Sequence, residues 1–213
     1  MKKIVIFGAP GSGKGTMAEF IRDAWQIPWI STGEIFRHEM LAKSELGVKI
    51  SESMYRGQLV ADEVVNQIVR QRLAQDDAQK GFILDGYPRD LAQAQYLTTV
   101  INLDIALFIK CSDAIVAGRM AARRTCPNCG EIFNIIVKPP QQENICDHCQ
   151  TPLVMRPDAQ PAAIAERLAI FHKNNDQLID YYQNGGKLIV VDGDPAINEV
   201  WQNIKQVLHI INN

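Results

Sequence analysis

Lys3-Ile-Val-Ile-Phe7-Gly8-Ala-Pro-Gly-Ser-Gly-Lys14-Gly15-Thr16 is the stretch that decides the fold. An apolar run ends in glycines and opens onto a helix-compatible segment. That arrangement exposes backbone N–H groups at a helix N-terminus, where the helix dipole favours an anion. Lys14 adds a mobile positive charge able to reach terminal phosphates. The general phosphate-loop pattern G-x-x-x-x-G-K-[ST] is broken at one place, because Gly15 follows the lysine and the hydroxyl arrives only at Thr16. A loop of this kind leaves Mg²⁺ to water and to a carboxylate elsewhere in the chain. The stretch therefore implies a strand, a phosphate nest and a helix, and a ligand that carries phosphate.

Working outward, further short apolar runs recur at Trp29–Ser31, Gly81–Leu84, Ile105–Ile109 and Leu188–Val191. The spacing predicts helices over Lys14–Trp25, Asp62–Ala74, Asp113–Arg123, Pro161–Tyr182 and Ile197–Ile211, with Asp62 and Asp113 suited to N-caps and Gly185-Gly186 as a stop. Strands alternating with helices predict an α/β domain whose parallel sheet is covered on both faces. Two segments interrupt the alternation. Gly33–Tyr55 holds two helical stretches joined near Ser44–Gly47, and Thr125–Asp158 holds two C-x-x-C pairs and Pro139-Pro140. The expected organisation is a core of residues 1–30, 61–122 and 161–213 with insertions at 31–60 and 123–160.

Three constellations carry chemistry. Phe82-Ile-Leu-Asp85 is an apolar strand ending in a carboxylate, the usual way to set a metal-orienting Asp beside a phosphate loop. Gly86, Pro88 and Arg89 follow it directly. Arg37, Arg89, Arg119, Arg123, Arg124, Arg156 and Arg167 fall at helix ends or in the insertions, and planar, permanently charged donors suit a site that gathers several phosphates. Cys126-Pro-Asn-Cys129 and Cys146-Asp-His-Cys149 have the spacing of a tetrahedral Cys₄ zinc site. Four thiolates close the shell, so such a zinc is structural rather than catalytic, stapling a lobe too small for a core of its own. His148 lies between two ligands but is not needed to complete the set. Cys111, alone at the end of an apolar run, reads as a half-buried thiol.

Bulk properties narrow the classes. The chain has 213 residues, 46% hydrophobic and 22% charged, with a net charge of −2. Such a balance argues against a nucleic-acid track, and no run approaches the ~18 apolar residues of a membrane span. The opening Met1-Lys2-Lys3 leads straight into a short strand, which does not resemble a signal peptide. A cytoplasmic protein is expected.

Taken together, Gly8–Thr16, Ser31-Thr32-Gly33-Glu34-Ile-Phe-Arg37, Gly86-Tyr-Pro-Arg89 with Gln93, and Arg119-x-x-x-Arg123-Arg124 resemble the adenylate kinase family, in its bacterial form with a long zinc-binding lid. The resemblance runs the length of the chain. It implies the fold of P-loop nucleoside monophosphate kinases: a parallel five-stranded sheet flanked by helices, an AMP-binding insertion and a zinc-stapled lid. It also implies reversible phosphoryl transfer from MgATP to AMP giving two ADP, with structural Zn²⁺, no nucleic acid or membrane partner, and a monomer.

By the same resemblance, Gly11, Ser12, Gly13, Lys14, Gly15 and Thr16 hold ATP phosphates, joined by Arg119 on the adenine and Arg123 on the phosphates. Ile132, Phe133 and the backbone of Pro195 complete the ATP site. Thr32, Arg37, Gln58, Leu59, Val60, Gly86, Tyr87, Pro88, Arg89 and Gln93 bind AMP, with Arg89 on the α-phosphate and Gln93 on the base. Asp85 orients Mg²⁺ through water, and Arg156 and Arg167 clamp the phosphates between the nucleotides. Two departures stand out. The lid ends Arg156-Pro157-Asp158-Ala159 where the family commonly has Arg-x-Asp-Asp, so one carboxylate that orients lid arginines is missing. Tyr87 stands where Phe is commoner. The neighbouring alternatives are a UMP/CMP or GMP kinase, a zinc-ribbon nucleic-acid-binding protein, and an ATP-binding regulator that transfers nothing.

Overall fold

A computed structural model describes residues 2–210. The order is β1 (Lys3–Gly8), α1 (Lys14–Trp25), β2 (Trp29–Ser31), α2 (Thr32–Leu41), α3 (Glu45–Tyr55), α4 (Asp62–Leu73), β3 (Phe82–Asp85), α5 (Leu91–Val100), β4 (Ile105–Lys110), α6 (Asp113–Ala121), β5 (Arg123–Thr125), β6 (Ile132–Asn134), α7 (Pro161–Asn184), β7 (Leu188–Asp192) and α8 (Ile197–Leu208), with short 3₁₀ turns at Asp76–Ala78 and Pro157–Ala159. The main sheet is parallel and five-stranded, ordered β2-β3-β1-β4-β7.

Strand alternation sorts the core into two layers. Val5 and Phe7 with Phe82, Leu84, Ala106 and Phe108 face α4, α5 and α7. Ile4 and Ile6 with Ile83, Leu107 and Ile109 face α1 and α8. On α8, Val200, Ile204 and Leu208 recur every four residues on the face that meets the sheet. Each such buried side chain is worth roughly 1.5–3 kcal/mol of transfer free energy. The sheet is thus apolar on both faces, as its near-continuous runs require, and the phosphate loop emerges from the C-terminal end of its central strand, β1.

Several boundaries differ from the sequence expectation. The N-caps of α4 and α6 are Ala61 and Ser112, so Asp62 and Asp113 occupy the first helical turn, where they meet the dipole rather than the cap. Helix α6 stops at Ala121, and Arg123 begins strand β5 of the second insertion. Asp85 is the last residue of β3, and α7 runs to Asn184 before Gly185 caps it. The expected end of the last helix, Ile211, lies outside the described residues. Helix α5 follows the run at Gly81–Leu84, as the alternation implies, but is not among the helices whose bounds the spacing predicts. Its signal is the Asp90-x-x-Gln93 box: Asp90 accepts from the Gln93 N–H at 2.9 Å.

The first insertion is a helical pair. Ser31 and Ser44 cap α2 and α3 by accepting from Glu34 N and Gly47 N. The helices cross so closely at Gly47 that a Cβ there would lie 2.1 Å from the Glu39 carbonyl oxygen. Phe36 and Ile50 from this pair join the core layer under α4. The second insertion is built on the antiparallel pair β5–β6. Its own core is Cys126, Phe133, Cys146 and Leu153, with Cys149 packed alongside.

Candidate functional site

The phosphate loop turns between β1 and α1. Gly13 takes φ 92°, a left-handed conformation that costs glycine nothing, and it precedes α1 with no side-chain cap. The first N–H groups of α1 are therefore left for a ligand. Lys14 donates to the Ala9 carbonyl at 2.9 Å across the loop. Parallel pairing sets Ser31 opposite Asp85 and Ile6 opposite Asp85 on the other edge of β3. The carboxylate consequently stands beside the loop, and a Cβ at position 15 would lie 4.0 Å from Asp85 Oδ2 and 3.6 Å from the Trp29 ring. Trp29 therefore flanks the loop on this side, a placement that its sequence position alone did not suggest.

One cleft is lined by Gly11, Gly13, Lys14, Gly15, Thr16, Arg37, Asp85, Gly86, Arg89, Arg123, Arg156 and Arg167, together with Gly130–Ile132 from the second insertion. Lys14, Arg37, Arg89, Arg123, Arg156 and Arg167, which span most of the sequence, thus face one cleft. Arg22 and Lys138 also line it, and of its four carboxylates Asp85 is the buried one while Glu19, Glu34 and Glu131 are half-buried. Burial is the largest influence on Lys14 and lowers its pKa to about 8; the neighbouring arginines act in the same sense and Asp85 opposes them. Burial likewise raises Asp85 above the usual carboxylate range, with Lys14 and Arg89 pulling it back. Burial followed by the other guanidiniums pushes Arg123 and Arg167 down from their ordinary values. These are the signs of a site whose cations await anions.

Asp158 answers the departure at the end of the second insertion. Its carboxylate accepts from Arg156 Nε and Nη2 at 2.9 and 2.8 Å and from Arg167 Nη1 at 2.5 Å. Among the described residues it is the only carboxylate ion-paired with either arginine. One aspartate therefore orients both, while Ala159 is buried and its backbone N–H donates to the Arg156 carbonyl at 3.0 Å. Burial works against ionisation of Asp158, but Arg156 and Arg167 win and hold it below its ordinary value. Asp158→Asn is expected to reduce kcat/KM by about 30-fold or more, since breaking a buried hydrogen-bonded charge pair costs roughly 2–5 kcal/mol. Its stability penalty follows the same linkage: a depressed carboxylate stabilises above its unfolded pKa of about 4, and that contribution is lost as pH falls through the native value. The melting-temperature gap between variant and parent should be present at pH 7 and close in acid.

On one side of Lys14, a recess is lined by Gly11, Gly13, Arg119, Ile132, Asn134 and Pro195; Phe133 also reaches it, although it is only 3% exposed and belongs mainly to the core of the second insertion. Arg119 donates to the carbonyls of Gly193, Asp194 and Pro195 at 2.8, 3.1 and 3.1 Å, which braces a flat platform there. On the other side, Thr32, Phe36, Gln58, Leu59, Val60, Gly86, Arg89 and Gln93 enclose a second recess. Arg37 pairs with Glu34, and both line the central cleft rather than this recess. Tyr87 is fully buried and lies behind this recess rather than in its wall, and Pro88 lines an adjoining apolar cavity. Arg124 departs further from expectation: it binds the Ala121 and Arg123 carbonyls at the end of α6 and stays outside the cleft.

In the second insertion, the Sγ atoms of Cys126, Cys129, Cys146 and Cys149 all lie within 4.8 Å of one another, and none forms a disulfide. A tetrahedral zinc with Zn–S near 2.3 Å sets its sulfurs about 3.8 Å apart. The donor set and its spacing fit that ion. Cys111, half-buried, sits near Arg119, and burial raises its thiol to about 12, so it is inert at neutral pH.

A phosphate loop, a carboxylate at the end of the adjacent strand, and arginines between two base-sized recesses define a nucleoside monophosphate kinase. The family model for adenylate kinase matches residues 6–187. Relatives named adenylate kinase include those of Ruminiclostridium cellulolyticum, 42% identical over 98% of this chain and 100% of its own, and of Thermosipho melanesiensis, 42% identical over 98% of each. That of Clostridium kluyveri is 39% identical over 97% of each. The chain belongs to the adenylate kinase family.

Proposed function

We propose that this cleft carries out reversible transfer of the terminal phosphoryl group of MgATP to AMP, giving two ADP, with residues 31–60 as the AMP lobe, 123–160 as the lid and the remainder as the core. The observation that carries the reading is the placement of Lys14 and five arginines between two separate recesses. ATP takes the side of Arg119, Ile132 and Pro195; AMP takes the side of Thr32, Gln58–Val60 and Gln93. The transferring group then passes between them over Lys14.

The transition state of phosphoryl transfer is loose, with charge spread over equatorial oxygens, so the protein positions and neutralises. Lys14, Arg123, Arg156 and Arg167 supply fixed charge to the transferring group, while Arg37 and Arg89 hold the acceptor phosphate. The acceptor is already an anion, so no general base is called for. Asp85 is suited to orient hydrated Mg²⁺, because its Oδ1 is buried with no protein partner; the ion, when bound with ATP, shields phosphate charge. Zn²⁺ in the cysteine site keeps the lid folded. Closure of the lid excludes water, which would otherwise divert transfer to hydrolysis. We infer a cytoplasmic monomer; no helix among the described residues is long and apolar enough to cross a membrane.

Rates measured with ATP and each of AMP, UMP, CMP and GMP test the assignment. AMP should be preferred by at least about tenfold in kcat/KM, the scale set by a few base-edge hydrogen bonds. Faster turnover of UMP or GMP would overturn it.

A further inference from the structure

Gln93 is 2% exposed and lines the AMP-side recess, and both ends of its carboxamide are already engaged. Its Oε1 accepts the Arg89 backbone N–H at 2.8 Å. Its Nε2 donates to Asp62 Oδ1 at 2.6 Å, across 31 residues of sequence. The backbone behind it is also anchored. The Gln93 N–H is held by Asp90, and the Tyr87 hydroxyl lies 3.2 Å from the Gln93 carbonyl and 2.5 Å from Asn66 Oδ1 on α4.

A primary amide has two acceptor lone pairs and two donor hydrogens. Here one of each is used within the protein, which leaves one acceptor and one donor, side by side, for a ligand. Their order is fixed. Flipping the amide would set its NH₂ against the Arg89 N–H and its oxygen against the Asp62 carboxylate. Both contacts would be like against like, each leaving a buried polar group unpaired at a cost of about 1–3 kcal/mol.

We propose that Asp62 is a specificity-determining positioning residue, which locks the Gln93 amide in the one orientation that accepts a 6-aminopurine and rejects a 6-oxopurine. The two bases present opposite patterns: adenine offers an amino donor beside a ring acceptor, whereas a 6-oxopurine offers a carbonyl acceptor beside a ring N–H. A freely flipping amide would serve both. An amide pinned by a carboxylate, which can only accept, serves one. The inference rests on the reading that Gln93 contacts the base, and it adds the residue that gives this contact its direction.

The experiment compares kcat/KM for AMP and IMP, because IMP changes the 6-position without adding the 2-amino group of GMP. In Asp62→Asn the new amide can donate or accept, so the penalty at position 62 is lifted and only the Arg89 N–H still opposes a flipped Gln93. The AMP:IMP ratio should fall tenfold or more, with IMP turnover rising above the parent's. Asp62→Ser, whose hydroxyl also donates or accepts, should shift the ratio in the same direction and stands in if the first variant does not fold. General damage to the lobe lowers both substrates together and cannot raise IMP turnover. A ratio unchanged within twofold, or a parallel fall for both substrates, overturns the proposal. Gln93→Ala separates the two layers. An unchanged KM for AMP in that variant removes the base contact itself; a raised KM beside an unchanged ratio in the Asp62 variants removes only the lock.

Discussion

Lys14→Met is expected to lower kcat by about 10³-fold, the upper end of what one preorganised charge contributes to an oxyanion-like transition state, while leaving the melting temperature nearly unchanged. The second half follows from burial. Desolvation, helped by the neighbouring arginines and opposed by Asp85, brings the Lys14 pKa to about 8, below the ~10.4 of an unfolded chain. Between those values the unfolded chain binds more protons, so stability rises with pH there, and below pH 8 the ammonium opposes folding. Removing it takes away catalysis without removing a source of stability. The same displacement gives a pH signature: kcat/KM, which reports the free enzyme, should decline by about tenfold per pH unit above Lys14's pKa of about 8. The decline in kcat should begin at higher pH, because bound phosphates favour the charged lysine. A kcat within threefold of the parent would remove Lys14 from the transferring group.

The second large effect concerns the lid. Of the four residues in its buried core, two are cysteines of the proposed metal site, and only Phe133 and Leu153 are left to pack without it. Such a core is far too small to fold alone, and in small metal-dependent units the binding energy of the metal is folding energy. Metal removal, or Cys146→Ser, should therefore give an early unfolding transition confined to residues 123–160. A loss of several kcal/mol, at 2–4 °C per kcal/mol for a chain of this size, puts it roughly 10 °C or more below that of the metal-loaded protein. Proteolysis should cut first between Cys126 and Leu153, and kcat should fall because Arg123 and Arg156 are carried at the lid's two ends. A single unfolding transition, unmoved by removing the metal, would show that the lid folds without the ion.

The central strands were legible because each is short, apolar and bounded by glycine or an acidic residue; the pattern that buries Ile4 and Ile6 on one face and Val5 and Phe7 on the other is local. The phosphate loop and the Gly86–Arg89 turn were legible for the same reason: their chemistry lies in contiguous residues. The bounds of helix α5 escaped because its capping aspartate, Asp90, directly follows a turn already occupied by site residues. The role of Asp158 was underestimated, since counting carboxylates at the lid's end cannot show that one of them reaches Arg156 and Arg167 together. Arg124 was included with its neighbour Arg123, yet in a strand consecutive side chains point to opposite faces. The Asp62–Gln93 contact joins the starts of α4 and α5, and no spacing rule connects them before the sheet brings those helices together.

In the proposed reaction two nucleotides meet over Lys14. The most direct test is a phosphorus-NMR balance of the reaction with ATP, AMP and Mg²⁺, following every phosphate species to equilibrium. One ATP and one AMP should disappear for every two ADP formed, with no inorganic phosphate. Release of inorganic phosphate from ATP while AMP stays unchanged would contradict it.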